Sequence, residues 1–418
     1  MQIKETPVLL LTGYLGSGKT TLVNHILSNE RGIKFAVIVN DIGEVNIDAD
    51  LIQKGGVVGQ KDDSLVALQN GCICCTLKMD LVEQINDILK LERFDYIVIE
   101  ASGICEPAPI AQTICGIPSL GPQYTEHGVA RLDAIVTVVD ALRMQSEFQC
   151  GEKLQSTALE DDDIENLLIE QIEFCNIVLL NKVSEVKPEE LERVRKIITS
   201  LQPRAQIIEC DYAEVELDRI IGTGMFDFED VATSATWVQE IEREMTEEEE
   251  HEAHRHHHEH HHDHHHEHDE HDEHGHHHHH HEHCHCHNHN EEEGEAEEYG
   301  IGTFVYYRRQ AFDINKFDHF VAKKWPSNVI RCKGVCYFSD NTDMSYLFEQ
   351  AGVQKRMKEA GLWFATANEE ELQELMRQEP RLLQDWDDVY GDRMQKIVFI
   401  GQKLDKEQIT RDLDECLA

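Results

Sequence analysis

Short apolar runs recur along the first half of the chain. Val8 to Leu11, Phe35 to Val39, Asp95 to Ile99, Ala134 to Val139, Asn176 to Leu180 and Gln206 to Ile208 have the length and β-branched content of strands, and stretches such as Thr21 to Leu27 and Pro188 to Ser200 have helical spacing. This repeated strand-helix order predicts an α/β fold with a mostly parallel sheet. The alternation closes near Gly222 to Gly224. Folding signals return from Gly302: strands over Phe304 to Tyr307, Val329 to Tyr337 and Lys396 to Ile400, and helices over Ile314 to Lys323, Glu369 to Arg377 and Lys406 to Leu417. The pattern divides the chain into an α/β domain (1–224), a linker (225–298) and a smaller α+β domain (299–418).

The linker carries a tract, Thr246 to Glu298, in which acids intermix with histidines such as His254, His256 to His258 and His276 to His281. No packed core can be built from it, so it reads as a disordered insert. Neutral imidazole suits Zn²⁺, Ni²⁺, Co²⁺ and Cu²⁺, and Cys284, His285 and Cys286 add thiolates. A pH-responsive solubilising linker is the bland reading. The Cys-His-Cys element favours metal binding, and at about four protein ligands per ion the tract has room for several ions. Its acids attract cations generally, without selecting among them.

Composition narrows the function classes. A length of 418 residues suggests two folded units, and the net charge of −43 argues against a nucleic-acid or anionic-membrane partner. No apolar run approaches the roughly 18 residues of a membrane span, and no Arg-flanked apolar segment opens the chain, so a cytoplasmic protein is expected. In a reducing compartment the 13 cysteines are weighed as metal ligands, redox thiols or core residues rather than a disulfide framework. Cys332 and Cys336 lie four apart on a predicted strand, on one face but too distant to chelate, so they read as core.

Gly13-Tyr-Leu-Gly16-Ser17-Gly18-Lys19-Thr20 fits G-x-x-x-x-G-K-[ST] and lies between a predicted strand and the helix that Thr21 opens. Glycines let the backbone turn so that N–H groups and the positive helix end face a nucleotide's phosphates. Lys19 is placed to reach the β- and γ-phosphates, and the Thr20 hydroxyl to ligate Mg²⁺. A plain glycine turn explains the glycines but not Lys-Thr at this offset. After the next strand, Asn40 to Asp48 forms an acidic loop that includes Glu44, a candidate switch segment whose carboxylates are otherwise simply solvated.

Cys72-Ile-Cys74-Cys75 places three thiols within four residues, enough to converge on one soft or borderline ion. Zn²⁺ takes four ligands, so Glu44, water or a partner group would complete the shell, and an incomplete protein shell suits an ion that must later leave. A redox dithiol or buried thiols in a turn are the alternatives. Glu100 ends another strand, where a carboxylate can serve Mg²⁺ directly or through its ligands, and the Gly103 N–H can sense a γ-phosphate. Ser102 reads by default as a helix cap.

With the P-loop, Gly43-Glu44-Val-Asn-Ile-Asp48, the Cys-x-Cys-Cys element, Glu100-Ala-Ser-Gly103 and Asn181-Lys182 in this order, the chain resembles the CobW family of metal-handling P-loop GTPases. Val305 to Arg309, Arg331 to Gly334 and Val398 to Gly401 are similar to the CobW C-terminal domain. The resemblance implies GTP hydrolysis coupled to metal delivery, with nucleotide held by Gly13, Gly16 to Thr21, Asn181 and Lys182, and metal by Cys72, Cys74 and Cys75. One departure stands out: the family's Asn-Lys-x-Asp ends here in Ser184, which cannot accept the paired N–H bonds that an aspartate takes from guanine. Asn181 and Lys182 still frame a base, Glu185 is the neighbouring carboxylate for a shifted loop, and ATP use stays open. The expected activity is that of a zinc metallochaperone serving client metalloproteins, slow without its client because no arginine finger is identifiable. Nickel or cobalt insertion and a metal buffer with a regulatory nucleotide site are the rival readings, and homo-oligomer formation is left open.

Overall fold

The computed structural model describes residues 4–29, 31–39, 78–147, 162–243, 253, 300–351, 354–378 and 386–418. Its first half runs β1 (Glu5–Thr12), α1 (Lys19–Leu27), β2 (Phe35–Val39), α2 (Lys78–Lys90), β3 (Tyr96–Glu100), α3 (Pro107–Gly116) and β4 (Val129–Asp140). It continues with α4 (Ala141–Glu147), α5 (Asp162–Glu173), β5 (Ile177–Asn181), α6 (Pro188–Leu201) and β6 (Gln206–Glu209). The six strands form one sheet in the order β2-β3-β1-β4-β5-β6, with every pairing parallel.

Uninterrupted apolar runs form these strands because helices cover both faces of the sheet. Leu9, Leu11, Val37 and Val98 face α1, which buries Leu22, Val23 and Ile26 against them. Val8, Leu10, Ile38, Ile97 and Ile99 face the other way, onto Leu81 and Ile85 of α2 and Ile110 and Ile114 of α3. Strand β4 extends beyond the predicted Ala134 to Val139, because its amino half pairs with the start of β1 across a register shift at Val8/Leu9.

Residues 225–243, counted with the linker on sequence, carry the short helices α7 (Phe228–Ala232) and α8 (Thr236–Glu242). Phe226, Phe228, Trp237 and Ile241 anchor them by packing on the core that also takes in α6. The second half contains β7 (Ile301–Arg308), α9 (Ile314–His319), β8 (Val329–Phe338), β9 (Asn341–Ala351), β10 (Gln354–Leu362), α10 (Glu369–Gln378), β11 (Gln395–Gln402) and α11 (Lys406–Asp414). Its five strands form a second sheet, antiparallel throughout, in the order β10-β9-β8-β11-β7.

The strand pattern did not announce β9 or β10. Strand β10 is an edge strand studded with Lys355, Arg356, Lys358 and Glu359, charges that blunt an exposed edge and hide the alternation a half-buried strand shows. The helix expected to reach Leu417 stops at Asp414, and Leu417 bridges to Phe312 instead. One face of this sheet packs on α9 and α11 through Phe317, Phe338, Phe348, Phe399, Ile409 and Leu413, with Cys332 and Cys336 fully buried among them. Burial pushes both thiols up, in keeping with a packing role.

The opposite face meets the first half. Arg331 on β8 is fully buried and grips Glu173 at the end of α5 with both arms, Nε to Oε1 at 2.9 Å and Nη2 to Oε2 at 3.0 Å. Beside it, Lys333 and Lys358 flank Glu349 at 3.4 and 3.2 Å, and the Lys333 ammonium sits 4.0 Å from the Trp237 ring centre. Burial alone would raise the Glu349 carboxyl, but Lys333, Arg331 and Lys358 together outweigh it and hold it below its ordinary value.

Two outcomes follow for urea unfolding. Arg331→Met is expected to lower stability by about 3–5 kcal/mol, because it strands a buried carboxylate, whereas Arg331→Met with Glu173→Leu recovers most of that loss. A carboxyl lowered on folding contributes stability above its unfolded pKa and loses it as pH falls through the folded value. The stability gap between wild type and Glu349→Gln should therefore be full near neutral pH and close as pH drops below about 4.

Candidate functional site

Because β1, β3, β4, β5 and β6 all run parallel, the loops that follow them meet along one edge of the sheet. The loop after β1 feeds α1 through Gly18, whose φ is +114° and whose missing Cβ would stand 2.5 Å from Asn181 Nδ2. Both handedness and space require glycine there. The amino end of α1 has no acidic residue in its first turn and no side-chain cap, so its N–H groups and the positive end of its dipole are left for an anion.

Lys19 is buried and donates from Nζ to Gly13 O at 2.7 Å and Tyr14 O at 3.2 Å, which holds the ammonium inside the loop. Ser17 is buried, and its Oγ has no hydrogen-bond partner among the described residues. Gly16 and Thr21 are exposed on either side. Parallel pairing sets Leu11 of β1 beside Glu100 of β3, which brings the Glu100 carboxylate to the start of α1, where Thr20 Oγ1 donates to Oε1 at 2.8 Å. A hydroxyl and a carboxylate oxygen at one point are the donor types that suit Mg²⁺, so these residues fit that ion.

The segment after β3 lies against the P-loop. A Cβ on Gly103 would stand 2.7 Å from Leu15 N and 2.8 Å from Leu15 Cγ, so close approach of the two loops dictates glycine. Gln171 on α5 holds the segment from behind, donating from Nε2 to Cys105 O at 3.0 Å and Gly103 O at 3.4 Å. The residue preceding α3 is Glu106, with Pro107 opening the helix, so Ser102 is not its cap; the Ser102 carbonyl instead accepts from Cys105 N at 3.1 Å.

At the other end of the edge, Asn181 terminates β5 and ties two loops together. Its Nδ2 donates to Ser17 O at 2.8 Å, and its Oδ1 accepts from Ala213 N at 3.0 Å. Lys182 adopts a left-handed conformation, donates to Gly16 O at 3.1 Å and pairs with Asp140 at the end of β4. Ser184 is exposed and donates from both N and Oγ to Asp211 Oδ1, at 3.0 and 2.9 Å. Glu185 is exposed. Tyr212 and Ala213, like Lys182, are non-glycine residues with positive φ, so three of the five such positions among the described residues sit at this corner. Burial, reinforced by the Asp211 charge, pushes the neighbouring Cys210 thiol up to about 12 and keeps it protonated.

Sequence reasoning assigned no role to Gln171, Asp211 or Arg143, whose guanidinium lies 3.8 Å from the Tyr14 ring centre beside the P-loop. None belongs to a recognisable motif, and the one signal was a polar residue just past a strand end. Glu44, Cys72, Cys74, Cys75, Cys284, His285 and Cys286 lie outside the described residues. Among the described residues no three His, Cys, Asp or Glu are grouped to hold a metal, and no helix is long and apolar enough to cross a membrane.

Comparison with known proteins agrees with this arrangement. Residues 7–209 match the CobW/HypB/UreG nucleotide-binding domain, and residues 301–417 match the cobalamin synthesis protein cobW C-terminal domain. Zinc-regulated GTPase metalloprotein activator 1 of Dictyostelium discoideum is 32% identical over 433 residues, spanning 99% of this chain and 80% of that one. The chain belongs to the CobW family. Among other relatives, zinc chaperone CobW of a Sinorhizobium species is 30% identical over 254 residues, covering 58% of this chain and 70% of its own. Zinc chaperone YjiA of Escherichia coli is 31% identical over 232 residues, covering 54% and 64%. In this CobW-family chain, Gly103→Ala is expected to push the loop after β3 off the P-loop. It should weaken nucleoside triphosphate binding at least about tenfold while leaving the far-UV circular dichroism unchanged, and titration with a fluorescent nucleotide reads the difference.

Proposed function

We propose that this CobW-family protein is a cytosolic GTPase metallochaperone that binds zinc at Cys72, Cys74 and Cys75 and releases it to client metalloproteins. The observation that carries the reading is the Thr20–Glu100 pair beside a P-loop, in a chain 32% identical almost end to end to a zinc-regulated GTPase metalloprotein activator. Residues 1–224 carry the nucleotide chemistry, the histidine tract within 225–298 gathers ions, and residues 299–418 complete the molecule.

In hydrolysis, water attacks the γ-phosphorus as the bond to the β-γ bridging oxygen breaks, so GDP leaves with the electron pair and phosphate is released. Catalysis of such a loose transition state is mainly positioning and charge stabilisation. The amino end of α1 and the residues from Gly13 to Thr21 hold the phosphates. Lys19 exchanges its carbonyl partners for β- and γ-phosphate oxygens, keeping a buried cation paired. Thr20 and Glu100 would hold Mg²⁺, which when bound neutralises charge between the β- and γ-phosphates. Gly103 offers its N–H to the γ-phosphate, and Gln171 fixes that loop so that its position registers whether the phosphate is present. Asn181 and Lys182 frame the base. Loss of the γ-phosphate relaxes the loops bearing Glu44 and Gly103, changing the geometry of the three-thiolate site and freeing its ion.

The test compares wild type, Lys19→Ala and Cys74→Ser, each metal-free and zinc-loaded, for GTP turnover, ATP turnover and zinc transfer to an apo-metalloprotein. Lys19→Ala is expected to lose at least about a hundredfold in turnover and to stop transfer while binding zinc normally. Cys74→Ser should lose the zinc response. Transfer that proceeds normally in Lys19→Ala, or turnover indifferent to zinc, overturns the reading.

A further inference from the structure

The sequence leaves the base-reading corner without its acceptor, because Ser184 stands where an aspartate would take the N1–H and N2–H of guanine. The fold supplies a carboxylate from elsewhere. Asp211, past the end of β6, reaches across to Ser184 and accepts both of its donors, N–H at 3.0 Å and Oγ–H at 2.9 Å. Both bonds fall on Oδ1. The remaining lone pairs of a half-buried carboxylate are thus carried at one hydrogen bond's distance from the expected position.

The surroundings are built to keep it there. Asn181, one end of whose amide is fixed on Ser17 O, receives Ala213 N with its Oδ1, which pins the loop carrying Asp211 to the P-loop. Left-handed backbone at Tyr212 and Ala213, unusual for such residues, turns that loop back toward β5. Lys182 is drawn away from Asp211, toward Gly16 O and Asp140, so the corner offers a carboxylate that is not neutralised by the adjacent ammonium. Glu185, the neighbouring carboxylate in sequence, is exposed.

We infer that Asp211 is the guanine-specificity residue of this protein, its carboxylate accepting N1–H and N2–H of the base while Ser184 orients it. The inference rests on the GTPase reading above and assigns its base selectivity to one residue. Adenine offers a bare N1 acceptor and no 2-amino group on that edge, so a carboxylate facing it meets a lone pair instead of two donors. Xanthine replaces the 2-amino group by a carbonyl and is rejected for the same reason.

Asp211→Asn separates this role from a structural one. Asparagine Oδ1 still accepts the Ser184 bonds, so a residue that merely caps the turn after β5 tolerates the change, whereas the base now faces Nδ2–H donors, which oppose both N1–H and N2–H of guanine but suit the 2-carbonyl of xanthine. The measurement is competition of GDP, IDP, XDP and ADP against a fluorescent guanine nucleotide on the full-length protein with Mg²⁺. Wild type is expected to prefer GDP over ADP and XDP, and over IDP by about tenfold, the change expected for loss of one well-placed bond. Asp211→Asn should reverse the GDP:XDP order, and adding Ser184→Asp to that variant should restore GDP. A wild type that prefers GDP while Asp211→Asn leaves the GDP:XDP ratio unchanged overturns the assignment and leaves the GTPase reading standing. A wild type that does not distinguish GDP from ADP overturns both.

Discussion

Everything at the functional edge depends on one constraint: five neighbouring strands run parallel, and the inner four, β3, β1, β4 and β5, are buried on both faces over most of their length. A buried parallel sheet cannot turn back on itself through short hairpins, so each strand must hand over to a crossover that begins at the same edge. Gly13 to Thr20, Glu100, Asp140, Asn181 and Asp211 are scattered over nearly 200 positions, and they converge because each closely follows or ends such a strand. The individual contacts are ordinary hydrogen bonds of roughly 1 kcal/mol each. The core of valines, leucines and isoleucines beneath them keeps those bonds in register.

Helix α5 links this edge to the second sheet. Gln171 holds the loop after β3 by two of its carbonyls, and two residues later Glu173 meets Arg331 in the buried interface. The loop carrying Gly103 and the C-terminal sheet therefore share a rigid support less than one helical turn long. A fully buried, bidentate ion pair defines a single docking geometry, because any sliding of the sheet would leave both charges unsolvated. The neighbouring Lys333, Glu349 and Trp237 extend this pairing toward α8, so residues placed in the linker on composition take part in joining the halves.

Asp211 shows how chemistry can move away from the motif that normally carries it. The serine and the carboxylate remain hydrogen-bonded partners, and a specificity determinant is a position in space reached by whichever strand-end loop has room. Arg143, stacked on the Tyr14 ring next to the P-loop, likewise comes from a helix that no motif flags.

The sequence alone determined the α/β class, the strand-helix order, the P-loop with Lys19 and Thr20, the cysteine and histidine elements as metal-ligand candidates, and the CobW resemblance. Those features are local: strand and helix periodicity act over a few residues, and a P-loop needs its glycines, lysine and threonine within one turn. Tertiary structure decided the sheet order, the charged strands of the second sheet, the role of 225–243 as packed helices, the Gln171 clamp, the Arg331–Glu173 junction and the meeting of Ser184 with Asp211. The decisive contacts join residues far apart in the chain: 27 positions between Ser184 and Asp211, 66 and 68 from Gln171 back to Cys105 and Gly103, and 158 between Glu173 and Arg331. Such pairings are set by how strands stack and by which buried charge must find a partner, and no periodicity along the chain records them.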